Sequence, residues 1–157
     1  MLVNLYGRIE MIDIENVAIR FRAAIEEAIL TEDFSSDVNM LSFPRGCCGY
    51  ASDMLQKLLF DQGITTWYIS GQYSYGWDAE SHVWLETDDG IVIDITGDEY
   101  CDREPPIKNC TKVYVGPRDG FHNLFRLESP VPYSHKRPRY LQEAFDKRYN
   151  KVMLHFR

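Results

Sequence analysis

The sequence predicts an α+β domain, with helices in the first third of the chain and strands in the middle. Two observations carry that prediction. Apolar residues recur at intervals of three and four in two early segments, the spacing of a helix with one buried stripe. Between Ile64 and Thr96 they give way to β-branched and aromatic runs broken by Gly and Asp, the composition of short strands and tight turns. At 157 residues the chain fits one domain, 1–157, long enough to bury roughly two-thirds of its unfolded surface.

The elements follow in order. Residues 1–10 are short and mixed and are assigned no element. From about 12 to 30 the stripe is Ile14, Val17, Ala18, Phe21, Ala24, Ile25 and Ala28, with Arg20, Arg22, Glu26 and Glu27 on the opposite face. A polar loop over 33–39 leads to Phe43-Pro44. A second helix, 46–62, is entered through Pro44-Arg45-Gly46, carries Ala51, Met54, Leu55, Leu58 and Leu59, and stops at Gly63. Residues 64–69 read as a strand, and 70–79 as a loop rich in Gly, Tyr and Ser. Residues 82–86 and 90–96 read as two antiparallel strands joined through Asp88-Asp89-Gly90. A further strand is expected at 112–115, a loop around Pro130 and Pro132, and a last helix from about 138 to 154 bearing Leu141, Ala144, Phe145, Tyr149 and Val152.

Composition narrows the function. There are 17 Lys and Arg against 24 Asp and Glu, a net charge of −7, and no basic cluster, which disfavours nucleic acid because phosphate contacts need cations in quantity. No apolar run approaches the ~18–20 residues of a membrane helix, and charges at Arg8, Glu10, Asp13 and Glu15 leave no secretory apolar region, so a cytoplasmic protein without a membrane partner is expected. In that compartment the four cysteines are expected to be reduced thiols.

Cys48 stands where the second helix begins, where unpaired N–H groups and the positive end of the dipole favour a thiolate. Of the four histidines, His82, His122, His135 and His155, only His82 opens a predicted strand, followed on the same face by Trp84 and Glu86. Asp94 lies inside Val92-Ile93-Asp94-Ile95, and a carboxylate within an apolar strand needs a partner. With the turn at 88–90, Asp94 and His82 lie toward one end of the ladder, although the pattern does not fix the register. Together they are the parts of a Cys-His-Asp acyl-transfer site, in which the His takes the thiol proton and the Asp orients it. Taken singly, each has a plainer reading: a small buried hydrophobe, a structural histidine, an edge aspartate.

Gly46-Cys47-Cys48, Ser81-His82-Val83-Trp84-Leu85-Glu86 and Ile93-Asp94-Ile95-Thr96 resemble the core of the transglutaminase-like cysteine peptidase superfamily. They match its Gly-x-Cys helix start, His-x-Trp-x-Glu strand and Asp-x-Thr strand in order, over about 43–98. A small, bacterial-type member is implied. The resemblance implies a papain-like fold, a nucleophilic Cys on a helix packed against an antiparallel sheet carrying His and Asp. It gives Cys48, His82 and Asp94 the catalytic roles and Cys47, Trp84 and Glu86 supporting ones. The backbone N–H of Cys48 is the one oxyanion donor expected. Tyr73, Tyr75 and Trp77 are candidates for substrate contacts. The implied reaction is hydrolysis of a peptide or glutamine-type amide through a thioester, on a protein or peptide substrate, with no cofactor and no metal. A binding or accessory domain of the same fold without turnover is the alternative, and a zinc site from Cys101, Cys110 and a histidine is a weak third, for want of a Cys-x-x-Cys.

Overall fold

The computed structural model describes residues 2–3, 9–10, 12–75, 77–134 and 137–157. Two short strands, β1 (Leu2–Val3) and β2 (Ile9–Glu10), pair with each other ahead of helix α1 (Ile14–Thr31), in the stretch for which the sequence predicts no element. Asp13 caps α1 by accepting the Asn16 backbone N–H at 3.0 Å. Helix α2 (Cys48–Asp61) follows a 3-10 turn and Gly46, whose φ of +69° sets the chain for helix entry. Then come β3 (Thr66–Tyr75), β4 (Asp78–Thr87), β5 (Val92–Asp94), β6 (Tyr114–Gly116), β7 (Arg126–Leu127), β8 (Val131–Pro132) and helix α3 (Arg139–Met153).

The main sheet has six antiparallel strands in the order β6-β5-β4-β3-β7, with β8 also paired to β3. The fold is α+β, as the segregation of patterns predicts. Two expectations are corrected. Residues 70–79 are not a loop: β3 and β4 continue as a hairpin in which Gly71 faces His82 and Tyr73 faces Glu80. Polar residues alternate with aromatics there, a half-exposed strand pattern that the Gly, Ser and Tyr content masks. The stretch 90–96 keeps only three residues in the ladder before a 3-10 turn at Gly97–Tyr100.

The two sheet faces differ. Leu85, Ile93 and Ile95 pack with the buried stripes of α1 and α2 and with Phe145, Tyr149 and Val152 of α3. On the other face Ile69, Trp84 and Val92 meet Tyr100, Ile107, Phe121 and Phe125 from the long segment after β5. No helix among the described residues is long and apolar enough to cross a membrane.

Candidate active site

Cys48 is the first residue of α2, partly exposed, with the Cys47 backbone as the helix cap. The register places Ile93 opposite Leu85 and Val92 opposite Glu86, which sets Asp94 beside Trp84 and diagonal to His82. Residues two apart on a strand share a face, so the imidazole and the carboxylate reach each other across the ladder. His82 Nε2 donates to Asp94 Oδ2 at 2.8 Å, with both side chains buried. Its Nδ1 lies 3.1 Å from Glu99 Oε1, and the Cys48 sulfur, a His82 ring nitrogen and a Glu99 oxygen all lie within 4.8 Å of one another. The sequence-predicted Cys48, His82 and Asp94 therefore stand in one series.

Burial alone would lower the basicity of His82. The charge of Asp94 and hydrogen bonding to Asp94, Cys48 and Glu99 overrule it and raise its pKa well above the ordinary imidazole value. Burial likewise opposes ionisation of Asp94, and the charge of His82 with the hydrogen bonds of His122 and His82 reverses that, holding the carboxyl well below the usual range. Cys47 is fully buried against the Asn39 carbonyl, and burial pushes its thiol up to about 12, so it packs rather than reacts.

Sequence reasoning misses three residues at this site. Glu99, on the 3-10 turn after β5, occupies the Nδ1 side of His82; its other oxygen, Oε2, is buried without a hydrogen-bond partner among the described residues. His122 sits on the far side of Asp94, donating from Nε2 to the same Oδ2 at 2.8 Å while Nδ1 faces Asp119 at 2.6 Å. Asp94 Oδ1 accepts the Thr96 N–H at 2.9 Å, so three donors converge on this carboxylate. Tyr68 is the third. A Cβ on Gly49 would lie 2.9 Å from its hydroxyl, so glycine there lets the phenol stand against the first turn of α2. Burial, then the nearby Cys48 and Asp53, push the Tyr68 pKa up to about 12 and keep it a donor.

The supporting residues form a second network. Trp84 Nε1 donates to Glu86 Oε1 at 3.0 Å, and Arg118 clamps Glu86 through two bonds of 2.6 and 2.8 Å. Tyr100, Phe121 and Phe125 enclose the His82 ring at centroid distances of 5.2 to 5.8 Å. Gly71, opposite His82, permits this closure, since a Cβ there would fall 2.6 Å from Phe125 Cβ.

The expected substrate contacts fare differently. Tyr73 packs its ring on Phe125, Trp77 is fully exposed at the hairpin tip, and the Tyr75 side chain lies outside the described residues, as does His135. An open cleft of about 490 Å³ is lined instead by Gly46, Gly49, Tyr50, Asp53, Tyr68 and Arg137, among others, bracketing Cys48 in sequence. Neither Tyr73 nor Trp77 lines it.

The expectation of four reduced thiols is also corrected. Cys101 and Cys110 form a disulfide, because the loop after the 3-10 turn folds back to bring their Cα atoms within 4.4 Å. That removes both sulfurs from any zinc site. Two sets of donor atoms lie close enough to share a cation, Cys48 with His82 and Glu99, and His82 with Asp94 and His122; the contacts of 2.8 to 3.1 Å within them are hydrogen bonds. Comparison of the chain with family models, with curated proteins and with solved structures found no match.

Proposed function

We propose that this chain is a thiol-dependent acyl-transfer enzyme of transglutaminase-like, papain-like type, hydrolysing an amide bond in a protein or peptide through a thioester. One observation supports it above the others: a partly exposed cysteine at a helix start, an imidazole with a nitrogen within 4.8 Å of it, and a buried carboxylate 2.8 Å from the imidazole Nε2. His82 takes the Cys48 proton and is held as a cation by Asp94. The thiolate attacks the carbonyl carbon, and the developing oxyanion is met by the Cys48 N–H at the head of α2 and the Tyr68 hydroxyl. His82 protonates the leaving nitrogen, and water, deprotonated by His82, resolves the thioester. The cleft from Gly46 to Arg137 takes the acyl side of the substrate.

The test is thiol reactivity at neutral pH. Cys48 is expected to react with iodoacetamide faster than a free small-molecule thiol, with the rate dropping by at least about tenfold in His82→Gln. Cys48→Ala should end both labelling and turnover of a peptide side-chain methyl ester with the fold intact, and Cys47→Ala should retain both. Equal labelling of wild type and His82→Gln would instead favour a binding domain that keeps the fold without turnover.

A further inference from the structure

The two sides of Cys48 are unlike. Toward Gly46, Gly49 and Tyr68 the surface opens into the cleft of about 490 Å³. Toward His82 it is closed: the Glu99 side chain is 7% exposed, and Tyr100, Phe121 and Phe125 are 2%, 9% and 5% exposed. An amide hydrolase needs room on both sides only if a chain continues beyond the scissile nitrogen. Here the leaving side is walled by side chains already packed on the imidazole.

Glu99 adds a chemical requirement to that shape. One of its oxygens faces His82 Nδ1, and the other is buried with no hydrogen-bond partner among the described residues. A buried carboxylate oxygen without a donor is costly, and the group that relieves it must bring an N–H or O–H. The leaving nitrogen of an amide bound at Cys48 comes between the sulfur and Nδ1, since it must receive the Nδ1 proton, and so arrives beside Glu99.

We infer that Glu99 is a further catalytic residue that accepts an N–H of the leaving nitrogen, and that the substrate bond is a primary carboxamide of the glutamine or asparagine type, released as ammonia. This rests on the thiol acyl-transfer reading above. The Cys48 thiolate adds to the R–CO–NH₂ carbon, forming the C–S bond and an oxyanion. The oxyanion collapses, the C–N bond breaks, and the proton on His82 Nδ1 passes to nitrogen, so that NH₃ departs and R–CO–S–Cys48 remains. Water then adds to the thioester as His82 removes its proton; the C–S bond breaks, leaving the carboxylic acid and the thiol. Glu99 gains and loses no proton over the cycle. It holds the nitrogen in line with Nδ1 and stabilises the positive charge that develops there. A primary carboxamide suits the walled side because its leaving group is one heavy atom.

The experiment compares two leaving groups in the full-length protein. Ammonia release is measured from blocked peptides bearing glutamine or asparagine side chains and from denatured casein, and methanol release from the same blocked peptides bearing the side-chain methyl ester, whose small leaving group has no N–H. Wild type is expected to release ammonia without new peptide termini. Glu99→Gln is expected to lower kcat for the carboxamide at least about tenfold more than it lowers kcat for the ester, and Glu99→Asp to recover part of that difference. Ester turnover also reports that each variant is folded. Equal loss on amide and ester would show that Glu99 acts only through His82 and would overturn the inference. So would cleavage of peptide bonds, or ester turnover without ammonia from any carboxamide. A wild type that turns over no ester, or a Cys48→Ala variant that still does, overturns the underlying thiol reading instead.

Discussion

The two faces of the central sheet are built from the same strands and solve different problems. On the helix side, Leu85, Ile93 and Ile95 meet apolar stripes, and any well-filled arrangement of similar volume suffices. On the other side, His82, Trp84, Glu86 and Asp94 alternate with them on β4 and β5, under an aromatic cover from residues 100–125. That face is held by hydrogen bonds whose partners must each be present, since a half-satisfied buried network is worse than an apolar one. One face carries stability tolerant of repacking; the other carries the candidate site and is intolerant of deletion.

Substitutions on the two faces separate these roles. Asp94→Ala strands a buried imidazolium and removes the acceptor of His122 and Thr96; it should cost about 3–5 kcal/mol in urea unfolding and abolish the fast labelling of Cys48. Ile93→Ala, one residue away and facing the helices, should cost about 2–5 kcal/mol while leaving labelling of the folded protein unchanged. If Ile93→Ala also slows labelling, the two faces are not independent. Gly71→Ala forces a Cβ onto Phe125 and should cost about 1–3 kcal/mol by lifting the aromatic cover, read as faster hydrogen exchange around residues 121–125. Asp119→Asn, at the partly exposed end of the His122 contact, should cost less than about 1 kcal/mol.

The pair at the centre also sets a pH window. Asp94 has a depressed folded-state pKa, so its contribution is complete above the unfolded value of about 3.9 and is lost as pH falls below it. His82 has a raised one, so its contribution is complete below about 6.5 and is lost as pH rises toward the folded value. The stability difference between wild type and Asp94→Asn should therefore be greatest between about pH 4 and 6.5 and shrink on both sides. A difference that keeps growing from pH 6.5 to 9 would contradict the ion pair.

Cys48, His82 and Asp94 are legible in the sequence because each breaks a local pattern: a thiol at a helix start, an imidazole and a carboxylate inside apolar strands. The hairpin turn brings the last two to one end, and the register completes the diagonal contact. Glu99 is not legible, since Gly97-Asp98-Glu99-Tyr100 is an acidic turn sequence with no period to mark one carboxylate as inward. His122 lies 28 residues from Asp94, beyond any local pattern, and its approach depends on how 97–125 folds over the sheet. The upper part of the β3–β4 hairpin is hidden by its Ser and Gly content, although Tyr73 keeps the alternation.

The Cys101–Cys110 bridge has a practical consequence for every experiment on Cys48. It closes a loop that begins immediately after Glu99 and Tyr100, the two residues of that turn set against the His82 ring, and both of its cysteines are exposed. Reductants added to keep Cys48 as a thiol act on this bridge as well. An assay buffer thus selects between two covalent forms of the protein, with the wall beside the imidazole tethered in one and released in the other.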